Sequence, residues 1–158
     1  MAPDSLETSY LQLHLRLASL LEGETDEIAV MATIACELRH SIDRFDWVGF
    51  YRVTSPGMLT IGPYQGPHGC LRIPFGKGVC GKCARDNATQ IVSDVTALPY
   101  HIACSNSTRS EIVVPVVDNR GIVRAVLDID SNTPSSFDET DRAHLERICA
   151  LLSRAYGK

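Results

Sequence analysis

Three cysteines in the middle of the chain have the surroundings that thiol redox chemistry requires. Cys70 and Cys80 lie in HGCLRIPFGKGVCGKC, and Cys104 lies further on in LPYHIACSNSTRSEIVVP. A thiol redox enzyme needs one cysteine whose thiolate attacks and at least one more that closes a disulfide afterwards. None of the three lies in an apolar run, which favours a chemical role over that of a buried, inert cysteine.

Three carboxylates form a second group of candidate functional residues: Glu111, Asp128 and Asp130. Asp128 and Asp130 interrupt the apolar run AVLDID at alternate positions, so both point to one face of a strand. Crowded carboxylates in a cleft have raised pKa values, so one can keep a proton to donate while another holds an ammonium group. The alternative is that all three are solvated residues on the exposed face of an edge strand.

Aromatic residues on the run DWVGFY supply a candidate wall for a pocket. Trp47 and Tyr51 are four residues apart, hence on the same face of a strand, and are suited to contact an apolar group of a ligand. Aromatics on a central strand are also common core residues, so a purely structural role is an equal alternative. His101 precedes Cys104 by three residues and either lowers the pKa of its thiol or orders the loop.

Five short strings identify a family, and the resemblance runs from about Asp46 to Asp138. They are DWVGFY, IGPYQG, GKGVCG, HIAC followed by SEIVVP, and LDIDS. In this order, and with spacings of 10 and 24 residues between the three cysteines, they resemble the free methionine-(R)-sulfoxide reductases, which are built on a GAF domain. The resemblance therefore implies an L-methionine (R)-S-oxide reductase, an enzyme that reduces the free amino acid.

The resemblance also assigns roles to the cysteines. The attacking cysteine of the family falls at Cys104, which would become a sulfenic acid after attack on the sulfoxide. Cys70 resembles the resolving cysteine, and its condensation with the sulfenic acid would give an intramolecular disulfide. Cys80 is the alternative resolving cysteine.

The same resemblance indicates how the substrate is bound. The substrate-binding acids of the family match Glu111, Asp128 and Asp130, and the resemblance supports Trp47 more than Tyr51 as a contact for the methyl group. No metal or tightly bound organic cofactor is expected, because the electrons would come by thiol exchange from a dithiol protein of the thioredoxin type. A homodimer is possible, since GAF domains often pair.

Two residues depart from the family pattern. Cys83 completes Cys80-Gly-Lys-Cys83, a C-x-x-C at a predicted helix start, although the βαβ context of a thioredoxin fold is missing. We take Cys83 as a candidate auxiliary thiol that accepts the disulfide before the external reductant. Ser105 follows the HIAC cysteine where the family tends to have an acid, which leaves the finer substrate contacts open.

Two alternatives belong to other functional classes. A zinc site is one, because three pairs of soft ligands have knuckle-like spacing: His68-x-Cys70, Cys80-x-x-Cys83 and His101-x-x-Cys104. The other is a sensory GAF module that binds a ligand or reports redox state without turnover.

Composition narrows the class of protein. The chain has 158 residues, 44% of them hydrophobic, and a net charge of -4 without runs of like charge, which predicts one folded domain and no nucleic-acid partner. No apolar stretch approaches the roughly 18 residues that a membrane span needs, and we expect a soluble cytoplasmic protein with no membrane partner. The six cysteines are expected to be reduced or reversibly oxidised.

The hydrophobic pattern predicts an α+β fold: a GAF-like domain of about six antiparallel strands, with N-terminal helices and a C-terminal helix packed on one side. Residues 1–45 form the N-terminal helices, residues 46–130 the sheet and active-site loop, and residues 138–156 the last helix, all within one domain of residues 1–158. Cys36 and Cys149 lie on apolar helix faces and are expected in the core. The predicted helices are Ser5–Glu22, one starting at Thr25, Val79–Asp86 and one capped by Asp138; the predicted strands are Trp47–Val53, Leu59–Pro63, Leu71–Ile73, Gln90–Val92, Glu111–Val117 and Ile122–Ile129.

Overall fold

A computed structural model describes residues 3–100 and 105–157, so His101 and Cys104 lie outside the described residues. The helices are α1 (Pro3–Leu20), α2 (Glu27–Ser41), α3 (Gly78–Asp86) and α4 (Glu139–Ser153). The strands are β1 (Trp47–Ser55), β2 (Met58–Gln65), β3 (Arg72–Pro74), β4 (Gln90–Val92), β5 (Ser110–Val117) and β6 (Val123–Ser131). Each of these strands and helices lies within a few residues of a predicted one.

The strands form one sheet in the order β3-β2-β1-β6-β5-β4, and every neighbouring pair is antiparallel. The α+β prediction is thus confirmed. Strand β6 lies between β1 and β5, at the centre of the sheet. The acids on β6 are therefore flanked by a strand on either side, and the alternative that they lie on an edge strand is wrong.

The two faces of the sheet carry two separate hydrophobic clusters. Helices α1, α2 and α4 pack on one face, where Ala125, Leu127 and Ile129 of β6 are buried in the larger cluster. Val126 lies between Ala125 and Leu127 and points to the other face, where it packs in a smaller cluster with apolar residues of α3. Because side chains alternate along a strand, Asp128 and Asp130 face the same side as Val126. The predicted packing of the N- and C-terminal helices on one side is confirmed, and α3 covers the opposite face.

Local signals fix the ends of two helices. The Asp138 carboxylate accepts from the backbone N–H groups of Thr140 and Asp141, and the Asp141 carboxylate accepts from the backbone N–H of Asp138. These reciprocal bonds form a capping box at the start of α4, and Asp138 is the cap as expected. Helix α2 is capped by Asp26, whose carboxylate accepts from two N–H groups of the first turn. The prediction that Thr25 starts this helix is therefore off by one residue, because the carboxylate reaches those N–H groups from position 26.

A hairpin joins β5 and β6. The Asp118 carboxylate accepts from the backbone N–H groups of Arg120 and Ile122. Gly121 has a φ of 78°, a conformation that favours glycine. This turn sets the register of β5 against β6 and thereby places Glu111 beside the acids of β6.

Candidate active site

One row of side chains crosses three strands and forms the floor of a pocket. Asp130 on β6 is paired with Trp47 on β1 and with Glu111 on β5. Asp128, two residues earlier on the same face, is paired with Gly49 and Val113. The antiparallel register therefore brings together residues that are more than sixty positions apart in the sequence, and both predicted groups, acids and aromatics, line the same pocket.

The pocket is suited to a small molecule. Its volume is about 90 Å³, several times the roughly 10–15 Å³ that a single water needs. Four carboxyl groups line it, and none of its described lining residues is a lysine or arginine. These carboxyl groups belong to Asp46, Glu111, Asp128 and Asp130. Such a lining favours ligands that carry a cationic group or accept hydrogen bonds from protonated carboxyls.

Burial sets the protonation of these acids. Glu111 and Asp128 are buried, and Asp130 is half-buried. Burial, and secondly the charge of Asp128, raises the pKa of Glu111 and of Asp130 well above the ordinary range. Burial also raises the pKa of Asp128, to about 6, while hydrogen bonds from Glu111 and Cys80 act in the opposite direction. Asp128 is thus the acid that ionises first, beside neighbours that hold their protons.

Helix α3 brings Cys80 to the acids. The Sγ atom of Cys80 and carboxyl oxygens of Glu111 and Asp128 all lie within 4.8 Å of one another. Gly81 lets α3 pack against the segment that leads into it, because a Cβ there would lie 2.5 Å from the carbonyl oxygen of Pro74. Burial, followed by the charges of Asp128 and Glu111, raises the pKa of the Cys80 thiol well above its usual range.

The aromatic wall is held by one hydrogen bond and by stacking. Trp47 Nε1 donates to the carbonyl oxygen of Pro67 at 2.6 Å, and the Trp47 ring stacks on Tyr51 and Tyr64 at centroid distances of 6.0 and 5.4 Å. Trp47 and Tyr51 are buried and both line the pocket, and their contact with a ligand stays a prediction. Gly69 leaves room beside them, because a Cβ there would lie 2.9 Å from Tyr51 Oη.

The described cysteines are in two chemical states. Cys70, half-buried just before β3, is disulfide-bonded, whereas four others are free thiols: Cys36, Cys80, Cys83 and Cys149. Cys149 is buried in the larger cluster as expected. The core prediction for Cys36 is wrong, since it is only half-buried and its Sγ lies 3.8 Å from His40 Nδ1.

Cys83 does not share the pocket with Cys80. It is fully buried, and its thiol donates to the carbonyl oxygen of Val113 at 3.6 Å. Burial raises the pKa of this thiol. The paired zinc ligation predicted for Cys80-x-x-Cys83 does not fit this arrangement, because one thiol faces the carboxylates and the other faces a strand. The auxiliary-thiol role of Cys83 stays a prediction.

Sequence reasoning missed several polar residues at the rim of the pocket. The Asp46 carboxylate accepts from the backbone N–H of Asn132 at 2.7 Å, which ties the start of β1 to the end of β6. Thr108 is buried and bonds the Asp130 carboxyl. Ser107, which was also missed, is exposed and lines the same pocket, as does Ser105, the departure from the family pattern noted in the sequence. Asp46 is the first residue of DWVGFY and Asn132 directly follows LDIDS, so their place in or beside those strings was the available signal.

The helices of residues 3–100 and 105–157 include none that is long and apolar enough to cross a membrane.

Comparisons with known proteins agree with this geometry. The family model described as a GAF domain matches residues 24–155. GAF domain-containing protein A of Dictyostelium discoideum is 43% identical over 148 residues, 94% of this chain and 92% of that protein. The free methionine-R-sulfoxide reductase of Saccharomyces cerevisiae is 37% identical over 150 residues, 91% of this chain and 83% of its own.

A solved structure is similar to this chain in three dimensions as well as in sequence. The X-ray structure of free methionine-R-sulfoxide reductase from Neisseria meningitidis, in complex with its substrate, superposes with a TM-score of 0.88. The two chains are 42% identical, and the match covers 93% of this chain and 87% of that one.

Proposed function

The chain belongs to the GAF-domain family, and we propose that it is an oxidoreductase that reduces free L-methionine (R)-sulfoxide to methionine. The observation that carries this proposal is the row of Trp47, Asp130 and Glu111 across three strands, with Asp128 and Cys80 beside it. The identity to the yeast and Neisseria reductases over most of their length supports it.

One acid binds the substrate and the other two donate protons to it. Asp128, with its pKa of about 6, is ionised near neutral pH and holds the ammonium group of the amino acid. Glu111 and Asp130 keep their protons, because burial raises the pKa of each, and they donate to the sulfoxide oxygen. The Trp47 ring contacts the S-methyl group.

The thiols carry the electrons. The Cys104 thiolate attacks the sulfoxide sulfur, the oxygen passes to the cysteine as a sulfenic acid, and methionine leaves. The Cys70 thiol then displaces water from the sulfenic acid, so that two thiols are oxidised to one disulfide and one sulfoxide is reduced. Support comes from the disulfide-bonded state of Cys70. Cys80 is the alternative resolving cysteine, and its raised thiol pKa makes it the slower of the two.

Recycling needs an external dithiol. A protein of the thioredoxin type would attack the Cys70 disulfide and return both cysteines to thiols by two exchange steps. Cys70 is only half-buried, which leaves it within reach of such a partner.

The deciding experiment measures consumption of separated R and S epimers of free L-methionine sulfoxide with dithiothreitol as reductant. The wild type, Cys104→Ser and the matched control Cys36→Ser are compared, because Cys36 is a half-buried thiol on α2, outside the pocket. We expect loss of the R epimer only, abolished in Cys104→Ser and retained in Cys36→Ser. Consumption of neither epimer by the wild type would refute the proposal, and full activity of Cys104→Ser would refute the assigned nucleophile.

A further inference from the structure

Three side chains in the pocket form a cluster of potential metal ligands. The proposed reaction does not require them to act together. One sulfur and two oxygens, from Cys80, Glu111 and Asp128, lie within 4.8 Å of one another. All three residues are buried, and they come from three elements, α3, β5 and β6. Such a cluster is fixed by the packing of the helix on the sheet.

An oxygen of this cluster lacks a partner. Asp128 Oδ1 is buried, and within the described part of the chain no donor reaches it. Asp128 is 94% buried, with an exposed fraction of 6%, and it lines the pocket. A buried carboxylate oxygen left unpaired costs free energy, and a cation bound in the pocket would remove that cost.

The donor types specify the cation. A thiolate with two carboxylates suits a borderline-soft divalent ion such as Zn²⁺, bound at about 2.3 Å to sulfur and about 2.0–2.2 Å to oxygen. Ligands of one tetrahedral zinc ion lie roughly 3.5 Å apart at those bond lengths, so a cluster within 4.8 Å closes on the ion by small side-chain adjustments. The metal displaces the thiol proton, since thiolate is the ligand form.

We propose that Cys80, Glu111 and Asp128 form a Zn²⁺ site within the substrate pocket, and that zinc and the substrate exclude each other. Two of the three ligands are the acids assigned above to the substrate, so both cannot serve an ion and an amino acid at once. This site differs from the one suggested by the spacing Cys80-x-x-Cys83, because Cys83 bonds Val113 and lies outside the pocket. The exclusion of substrate rests on the proposed function, whereas the metal site itself does not.

The first experiment measures metal binding directly. The reduced, chelator-treated full chain is titrated with Zn²⁺ against a chromophoric zinc indicator, and with Co²⁺, whose near-ultraviolet charge-transfer absorption reports a thiolate–metal bond. We expect one ion per chain in the wild type. Cys80→Ser should abolish the cobalt–thiolate band and, like Asp128→Asn, weaken zinc binding by more than about tenfold, since even outer-shell changes cost about 10–100-fold.

Two cysteine variants act as matched controls. Cys83→Ser keeps a hydroxyl that can donate to Val113, and Cys36→Ser alters a half-buried thiol elsewhere on the chain. Both should bind zinc as the wild type does. Thermal unfolding without metal checks that each variant is folded, and a variant that does not fold is replaced by Glu111→Gln in the same titration.

Three results would overturn the proposal. They are unchanged zinc affinity in Cys80→Ser, equal loss of affinity in Cys83→Ser, and absence of the cobalt–thiolate band in the wild type. The exclusion is tested separately by adding (R)-sulfoxide to the indicator titration, where the apparent zinc affinity should fall as the sulfoxide concentration rises. Zinc affinity that is independent of the sulfoxide would refute the exclusion alone, and an inactive protein that still binds zinc would refute only the reductase.

Discussion

Replacement of Asp128 by asparagine should make the protein more stable at alkaline pH while it impairs the site. Burial raises the pKa of Asp128 to about 6 from an ordinary value of 3.8. A difference of about two pH units corresponds to about 3 kcal/mol, which the folded state gives up when the carboxyl is ionised. The asparagine side chain has a similar shape and carries no charge, so Asp128→Asn removes this cost with little change in packing.

The sign of the effect follows from proton binding. Because the folded state holds the Asp128 proton more tightly than the unfolded state does, the contribution of Asp128 to stability is greatest below about pH 4 and is lost as the pH rises through about 6. The Asp128→Asn variant does not lose this stability as the pH rises, because asparagine does not ionise. It also removes a charge that raises the pKa of Glu111 and of Asp130, so those two groups change stability in the same direction.

Urea unfolding at pH 4, 6 and 8, with a chelator present, measures the difference. We expect Asp128→Asn and the wild type to have similar free energies of unfolding at pH 4, and the variant to gain up to about 3 kcal/mol at pH 8. Glu22→Gln is the control, because Glu22 is exposed, and it should stay within about 0.5 kcal/mol of the wild type at each pH. A variant that is less stable than the wild type by the same amount at all three pH values would refute the reasoning.

Three further predictions follow from other contacts. The kcat/KM for free methionine (R)-sulfoxide should fall about tenfold per unit as the pH drops below about 6, because Asp128 takes up a proton and loses its hold on the ammonium group; a flat profile from pH 4 to 8 would contradict this. Gly69→Ala should raise KM several-fold at unchanged fold, as its Cβ would lie 2.9 Å from Tyr51 Oη; a KM equal to that of the wild type would show that the pocket tolerates the methyl group. Tyr10→Phe should lower the free energy of unfolding by about 1–3 kcal/mol, because the buried Asp141 loses a 2.6 Å hydrogen bond; a urea midpoint within error of the wild type would mean that another donor replaces it.

Much of the fold could be predicted because local patterns agree with the final packing. The alternation in AVLDID gave both the strand and the side on which Asp128 and Asp130 lie, and the carboxylate of Asp138 gave a helix start. These signals act within a few residues, where side-chain direction and capping are decided by the chain itself.

The parts that could not be predicted depend on contacts between distant residues. The bond from the Asn132 N–H to Asp46 spans 86 positions and exists only because β1 pairs with β6. Likewise, the i, i+3 spacing of Cys80 and Cys83 is compatible with a shared site, but α3 packs so that one thiol meets the acids and the other meets β5. Which way a helix is rotated on a sheet is set by the whole interface and is not encoded in a four-residue motif.

The strict alternation along β6 has a consequence for how the protein reaches its native state. A slip of one residue against β1 or β5 would place Asp128 and Asp130 in the cluster under α1, α2 and α4, and would place Leu127 and Ile129 in the pocket instead. Burying two unpaired acids in that cluster costs far more than any misaligned ladder could recover. The acids proposed to bind the substrate thus also exclude the wrong register, so neutral replacements at both positions would make strand pairing less selective even where the native state itself gains stability.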